Sequence, residues 1–95
     1  MLLPLVERAI AAGASEMEVE YKDGWEEVCA VGSGIGVGIA RFESNSAEAR
    51  ALRKTLYAIP KKGQFAHIRG CAYLLRVRVY ENFGEDAFHL TITRS

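Results

Sequence analysis

The sequence lacks a long apolar run, an excess of either charge, and any cysteine pair at a spacing that holds metal. Each absence narrows what the chain does. No stretch approaches the roughly 20 apolar residues of a membrane-spanning helix, so no membrane insertion is expected. Leu2-Leu3-Pro4-Leu5-Val6 has no basic segment before it and is broken by Glu7 and Arg8, a pattern that argues against a secretory signal and for a cytoplasmic protein. Lys and Arg number 12, as do Asp and Glu. No global field therefore draws the chain to nucleic acid or an anionic membrane, and any electrostatic role is local. Cys29 and Cys71 stand far apart among strand-forming residues; they read as two buried free thiols, with a single disulfide as the alternative. What is present is ordinary for a folded chain. The 95 residues are 49% hydrophobic and 25% charged, which excludes disorder and supports one core but not two.

Leu2, Leu3, Val6 and Ile10, with Leu5 and Ala9, recur at helical spacing, Pro4 suits a first turn, and Gly13 supplies a stop. Glu16-Met17-Glu18-Val19-Glu20-Tyr21-Lys22 then alternates polar and apolar without a break, the mark of a strand with one solvated face. Asp23-Gly24 is a two-residue hairpin turn, and residues 25–31 return as the second arm. That register sets Glu18 against Cys29, Glu20 against Glu27 and Lys22 against Trp25, with Val19 and Val28 on the buried side. Gly32-Ser33 turns the chain again into Gly34-Ile35-Gly36-Val37-Gly38-Ile39, a strand whose second face is nearly bare and open to close approach.

Asn45 with Glu48 three residues on reads as a helix start; Ala49, Leu52, Leu56 and Ile59 form its apolar stripe, with Arg50, Arg53 and Lys54 off it, and Pro60 ends it. After Lys61-Lys62-Gly63, residues 64–69 and 71–80 are two strands joined at Gly70. The second buries Tyr73, Leu75, Val77 and Val79 and shows Leu74, Arg76, Arg78 and Tyr80. A loop over residues 81–85 leads to a last strand, with Phe88, Leu90 and Ile92 inward and His89, Thr91 and Thr93 outward. The order α-β-β-β-α-β-β-β predicts an α+β domain, two helices on one face of an antiparallel sheet and the other face free.

The chemistry-bearing groups are few. Gly32-Ser33-Gly34-Ile35-Gly36-Val37-Gly38 lacks the Lys and Ser or Thr of a phosphate loop and does not open a helix. Glu16, Glu18 and Glu20 form a solvated acidic stripe, without the separated environments that catalytic carboxylates need. His67 and His89 have no nucleophile beside them and read as ordinary strand histidines, a metal pair across neighbouring strands being the alternative. Arg76 and Arg78 make the one basic cluster, suited either to an anion or to pairing with the glutamates. Their interleaving with Tyr80 raises single-stranded nucleic acid, against which the neutral charge and the acidic strand both argue. Trp25 on a charged face marks a surface for a protein partner.

These residues resemble the N-terminal, PAS-like domain of the type II secretion and type IV pilus ATPase superfamily. In that family the first helix ends in G-A-S-D-[IL]-H-[IL]-E, and this chain reads Gly13-Ala14-Ser15-Glu16-Met17-Glu18-Val19-Glu20. Lys62-Gly63-Gln64-Phe65 stands at the family's D-G-R-F turn, Arg78-Val79 at its R-V strand, and Gly84-Glu85 at its G-E. The resemblance implies a bacterial, free-standing version of that domain without the motor, since no Walker sequences occur in these 95 residues. It implies a protein partner among secretion or pilus ATPase components. Family arginines reach nucleotide from two places; here one is Gln64 and Arg78 alone remains.

The sequence therefore predicts a non-enzymatic protein-interaction or adaptor module without cofactor or metal, using Trp25, Glu18, Glu20, Arg76, Arg78 and Tyr80. The alternative is a nucleotide-sensing domain in which Arg78 and Arg76 work with Gly34, Gly36 and Gly38. A homodimer through a free sheet edge is open to either.

Overall fold

The computed structural model describes residues 2–95 and has the element order read from the sequence: α1 (Leu2–Ala11), β1 (Glu16–Lys22), β2 (Trp25–Gly32), β3 (Ile35–Glu43), α2 (Ala47–Ala58), β4 (Gln64–Ile68), β5 (Cys71–Asn82) and β6 (Glu85–Arg94). The six strands form one antiparallel sheet in the order β3-β2-β1-β6-β5-β4. Both helices lie on the same side of it. Leu2, Leu5, Val6 and Ala9 of α1 and Leu52 and Leu56 of α2 share one buried cluster with Met17, Val19, Val28, Phe88, Leu90 and Ile92 of the sheet. The fold is α+β, with the other sheet face uncovered. No helix among the described residues is long and apolar enough to cross a membrane.

Four two-residue turns set the strand registers: Asp23-Gly24, Ser33-Gly34, Arg69-Gly70 and Phe83-Gly84. Both residues of each pair have positive φ, the turn whose twist matches that of the flanking strands. Three of these differ from expectation. The second turn is centred one residue later than Gly32-Ser33. Arg69, expected at the end of β4, sits in the turn at φ 52°. The expected loop over residues 81–85 is only Phe83-Gly84, because Asn82 pairs with Glu85 and Glu81 with Asp86. Those four polar residues hide a hairpin that carries no alternation of apolar side chains.

Phe83 is an odd occupant of such a turn. Its φ is 53° and its side chain is 99% exposed, so it meets the steric cost of a left-handed conformation, about 1 kcal/mol, with no burial in return. Phe83→Asn is expected to raise the thermal midpoint by about 4–8 °C per kcal/mol recovered in a chain this size. Calorimetry checks it, and a midpoint that stays put or falls overturns this account of the turn.

Helix α2 starts one residue later than Asn45: Ser46 is its cap, and its hydroxyl accepts from the Ala49 N–H at 3.1 Å. Val79, expected in the core, is 43% exposed. The reason is topological, since β4 begins with Gln64 opposite Leu75 and pairs only as far as Ile68 opposite Cys71, leaving the rest of β5 as a sheet edge. In β3, Val28 pairs with Ala40 and Cys29 with Gly38, so Ile39 bulges out of register. Arg8 of α1 donates to the freed Ile39 carbonyl at 3.0 Å.

Candidate functional site: the open sheet face

Alternation decides which side chains reach the uncovered face. Met17 and Val19 are buried under the helices, so Glu16, Glu18, Glu20 and Lys22 of β1 point the other way. The strand registers then align their neighbours: Trp25, Glu27, Cys29 and Val31 on β2, His89 and Thr91 on β6, and Arg76, Arg78 and Tyr80 on β5. Trp25, Glu18, Glu20, Arg76, Arg78 and Tyr80, singled out by sequence, thus share one face. It is divided by charge, acidic on β1 and β2 and basic on β5, with β6 between them.

Along the middle of the face runs a chain of polar contacts. Arg78 Nη2 lies 3.3 Å from His89 Nδ1, and His89 Nε2 meets a carboxylate oxygen of Glu16. A guanidinium only donates, so Nδ1 accepts and the ring carries its proton on Nε2, from which it donates to Glu16. Asn82 donates to Glu20 at 2.7 Å. Each aromatic is matched with a cation. The Arg41 guanidinium stacks 4.0 Å above the Trp25 ring, and that of Arg78 lies 5.2 Å from the Tyr80 ring. Trp25 is therefore half-buried beneath Arg41 rather than bare.

The acidic half is not fully neutralised, and three groups register this. Burial, then hydrogen bonding to and repulsion from Glu18, raises the Glu20 carboxyl above its ordinary range. Burial and then Glu27, Glu20 and Glu18 push the Cys29 thiol up. Burial with Glu20 and Glu18 does the same to the Tyr80 hydroxyl, against a counter-pull from Arg78. A depression of about 310 Å³ sits over this half, bordered by Glu18, Glu20, Glu27, Cys29, Asn82 and Phe83. The exposed Phe83 ring is its rim, and sequence reasoning missed it by assigning Phe83 to a loop.

Other candidates lie apart. Gly36 and Gly38 are on the open face of β3, and nothing closer than 3.9 Å would meet a Cβ added at either; Gly34 lies in the turn at φ 77°. Strands β2, β1 and β6 separate them from Arg76 and Arg78, about 19 Å at the usual strand spacing, so these glycines and arginines do not converge on one ligand. His67 and His89 are on β4 and β6 with β5 between them. Cys29 and Cys71 are free and half-buried.

On the helix side, a cleft of 390 Å³ is lined by Glu26, Ser44, Arg53, Tyr57, Glu85 and Asp86. Arg53 donates to Glu26 at 2.9 Å and to the Ser44 carbonyl at 3.0 Å. The Tyr57 hydroxyl donates to Asp86, and that bond above all pushes it up to about 12. Glu26 has the same strand parity as Val28 and Ala30, which was the sequence signal that it would be buried. No protein-family model matches the chain, and no curated protein matches it.

Proposed function

We propose that this domain is a protein-interaction module whose docking surface is the open sheet face. One observation carries the reading. Two helices cover one side of a six-stranded sheet, while the other side presents a half-buried Trp25, an exposed Phe83 at its rim and unneutralised charges on separate strands. Aromatic and arginine side chains set among charges are the composition of protein-contact surfaces. The face offers no nucleophile with a base and an orienting group, so the reading is of binding without catalysis. A partner among secretion or pilus ATPase components rests on the sequence resemblance alone.

The test is a photoreactive side chain at Trp25 and, in a second protein, at Lys54 on the outer surface of α2. Protein adducts are expected from the Trp25 position and not from Lys54, and Tyr80→Ala should reduce them. Equal labelling from both positions overturns the assignment of this face. Saturable amide shifts at Arg76 and Arg78 on titration with Mg-ATP would turn the reading towards a nucleotide.

A further inference from the structure

The charge pattern of the open face is arranged about a single strand. Across β6, the registers form two level rows: Glu16–Thr91–Arg76 and Glu18–His89–Arg78. In each, a glutamate on β1 and an arginine on β5 flank a residue of β6, Thr91 in one row and His89 in the other. The acid and base of a row are two strand spacings apart, about 10 Å, and no ion pair joins Glu16 to Arg76 or Glu18 to Arg78 among the described residues. Within one chain Glu16 and Arg78 are hydrogen-bonded only to the His89 ring between them, so no acid of a row meets its base, and the rows are symmetric about β6.

We infer that the partner of this face is a second copy of the chain, docked sheet to sheet about a two-fold axis running along β6. This rests on the reading of the open face as a docking surface. A two-fold along β6 exchanges β1 with β5, which brings Glu18 over the arginine of the second copy's row and Glu16 over the other, each contact being made twice. Facing sheets stack about 10 Å apart, a gap that a glutamate and an arginine span together. The axis itself imposes a stricter condition. A residue on a two-fold meets its own image, so a charge there repels itself, and the open face of β6 carries Ala87, His89, Thr91 and Thr93. The His89 ring is fixed between Arg78 and Glu16 of its own chain.

Three strands overlap in this packing, β1, β6 and β5, because β4 pairs only with residues 71–75 of β5 and so lies beyond the end of β2. The contact is about 330 Å² per copy at ordinary strand dimensions, below the roughly 1,000 Å² in total of a stable specific interface. Much of it is polar. The dimer is therefore weak, salt-sensitive and reversible rather than obligate.

Charge reversal tests the axis directly. Glu18→Arg alone sets arginine against arginine at both symmetric contacts, and Arg78→Glu alone sets glutamate against glutamate. Mixing the two restores an attractive pair at each contact. Sedimentation equilibrium at low salt is expected to show a wild-type dimer that dissociates on addition of about 0.5 M NaCl. Each single variant should dimerise at least about 10-fold more weakly, and an equimolar mixture should recover the wild-type association. If either variant loses its dispersed amide spectrum, Glu16→Arg with Arg76→Glu repeats the test on the neighbouring row.

A wild-type chain that stays monomeric overturns the inference, as does a mixture no tighter than its components. A dimer indifferent to both reversals but lost in Val37→Lys also overturns it, in favour of edge pairing through β3. The reading of the face fails separately. Crosslinks from the Trp25 position to a different protein, with this chain monomeric throughout, sink self-association and leave the docking surface standing.

Discussion

Arg53→Ala is expected to destabilise the fold by about 2–4 kcal/mol at neutral pH, somewhat less than for a fully buried pair because the Arg53 side chain is 25% exposed. Its partner is Glu26, whose side chain is 4% exposed and points under the helices from β2. One carboxylate oxygen takes the Arg53 bond and the other has no partner. Burial raises the Glu26 carboxyl above its ordinary value of 4.5, the Arg53 charge and hydrogen bond pull it back, and Glu85 adds a smaller upward push. Without Arg53 the desolvation cost remains and the counter-charge is gone.

The sign of the pH dependence follows. A carboxyl raised in the folded state holds its proton more tightly there than in the unfolded chain. The stability this confers is complete below the unfolded value and is lost as pH rises through the folded one. Removing Arg53 raises the folded value further, so the deficit of the variant should be smallest in acid and widen as pH climbs above 4.5. Urea unfolding at a series of pH values measures it. A deficit equal at every pH would mean that Arg53 acts only through its packing and its bond to Ser44. Replacing Glu26 with Gln in the same chain should recover part of the loss, because the charge left behind is what costs most.

Phe88→Ala should be the most damaging single truncation, at about 3–5 kcal/mol. Phe88 heads the largest fully buried side chains. Its backbone pairs with Val19 on β1 and Val79 on β5 at the middle of the sheet, and its ring meets Tyr57 of α2 edge-on at 5.0 Å and 75°. Truncation removes apolar contacts on both sides and leaves a cavity bounded by β-sheet, which collapses poorly. Domains of this size have about 5–15 kcal/mol in all, so the variant should be partly unfolded at moderate temperature. Chemical unfolding gives the value; a loss below about 2 kcal/mol would show that α2 settles into the space. Phe88→Leu keeps most of the volume and should cost clearly less.

Much of this architecture was legible because β1 and β6 alternate cleanly, and period-2 patterning states a strand and its faces at once. The register across Asp23-Gly24 followed from the turn alone, and the structure has the same pairs, Glu18 with Cys29 and Lys22 with Trp25. Where the signal weakened, so did the reading. Phe83-Gly84 and Arg69-Gly70 use residues that resist positive φ at the first turn position, so neither looked like an Asp-Gly or Asn-Gly turn. Arg53 lies off the apolar stripe of α2 and passed as a solvated cation. Its role depends on Glu26 being buried, and the two meet only through tertiary packing. The exposure of Val79 was likewise invisible, because it depends on where β4 begins. For the open face, parity identified its residues but not their arrangement. The symmetry about β6 requires knowing that β1 and β6 are neighbours, and nothing local in the sequence says so.

The sheet order also divides the labour of folding unevenly. Residues 2–43 and 47–95 are each a helix followed by a three-stranded meander closed by two-residue turns, so every strand pairing within a half is local and quick to form. The two meanders join hydrogen bonds along one line, where Glu16, Met17, Glu18 and Val19 meet Thr91, Leu90, His89 and Phe88. Almost the whole entropic cost of distant contact therefore falls on that seam. The strand on one side of it also carries the centre of the open face, so the face is completed only when the two halves of the chain have found each other.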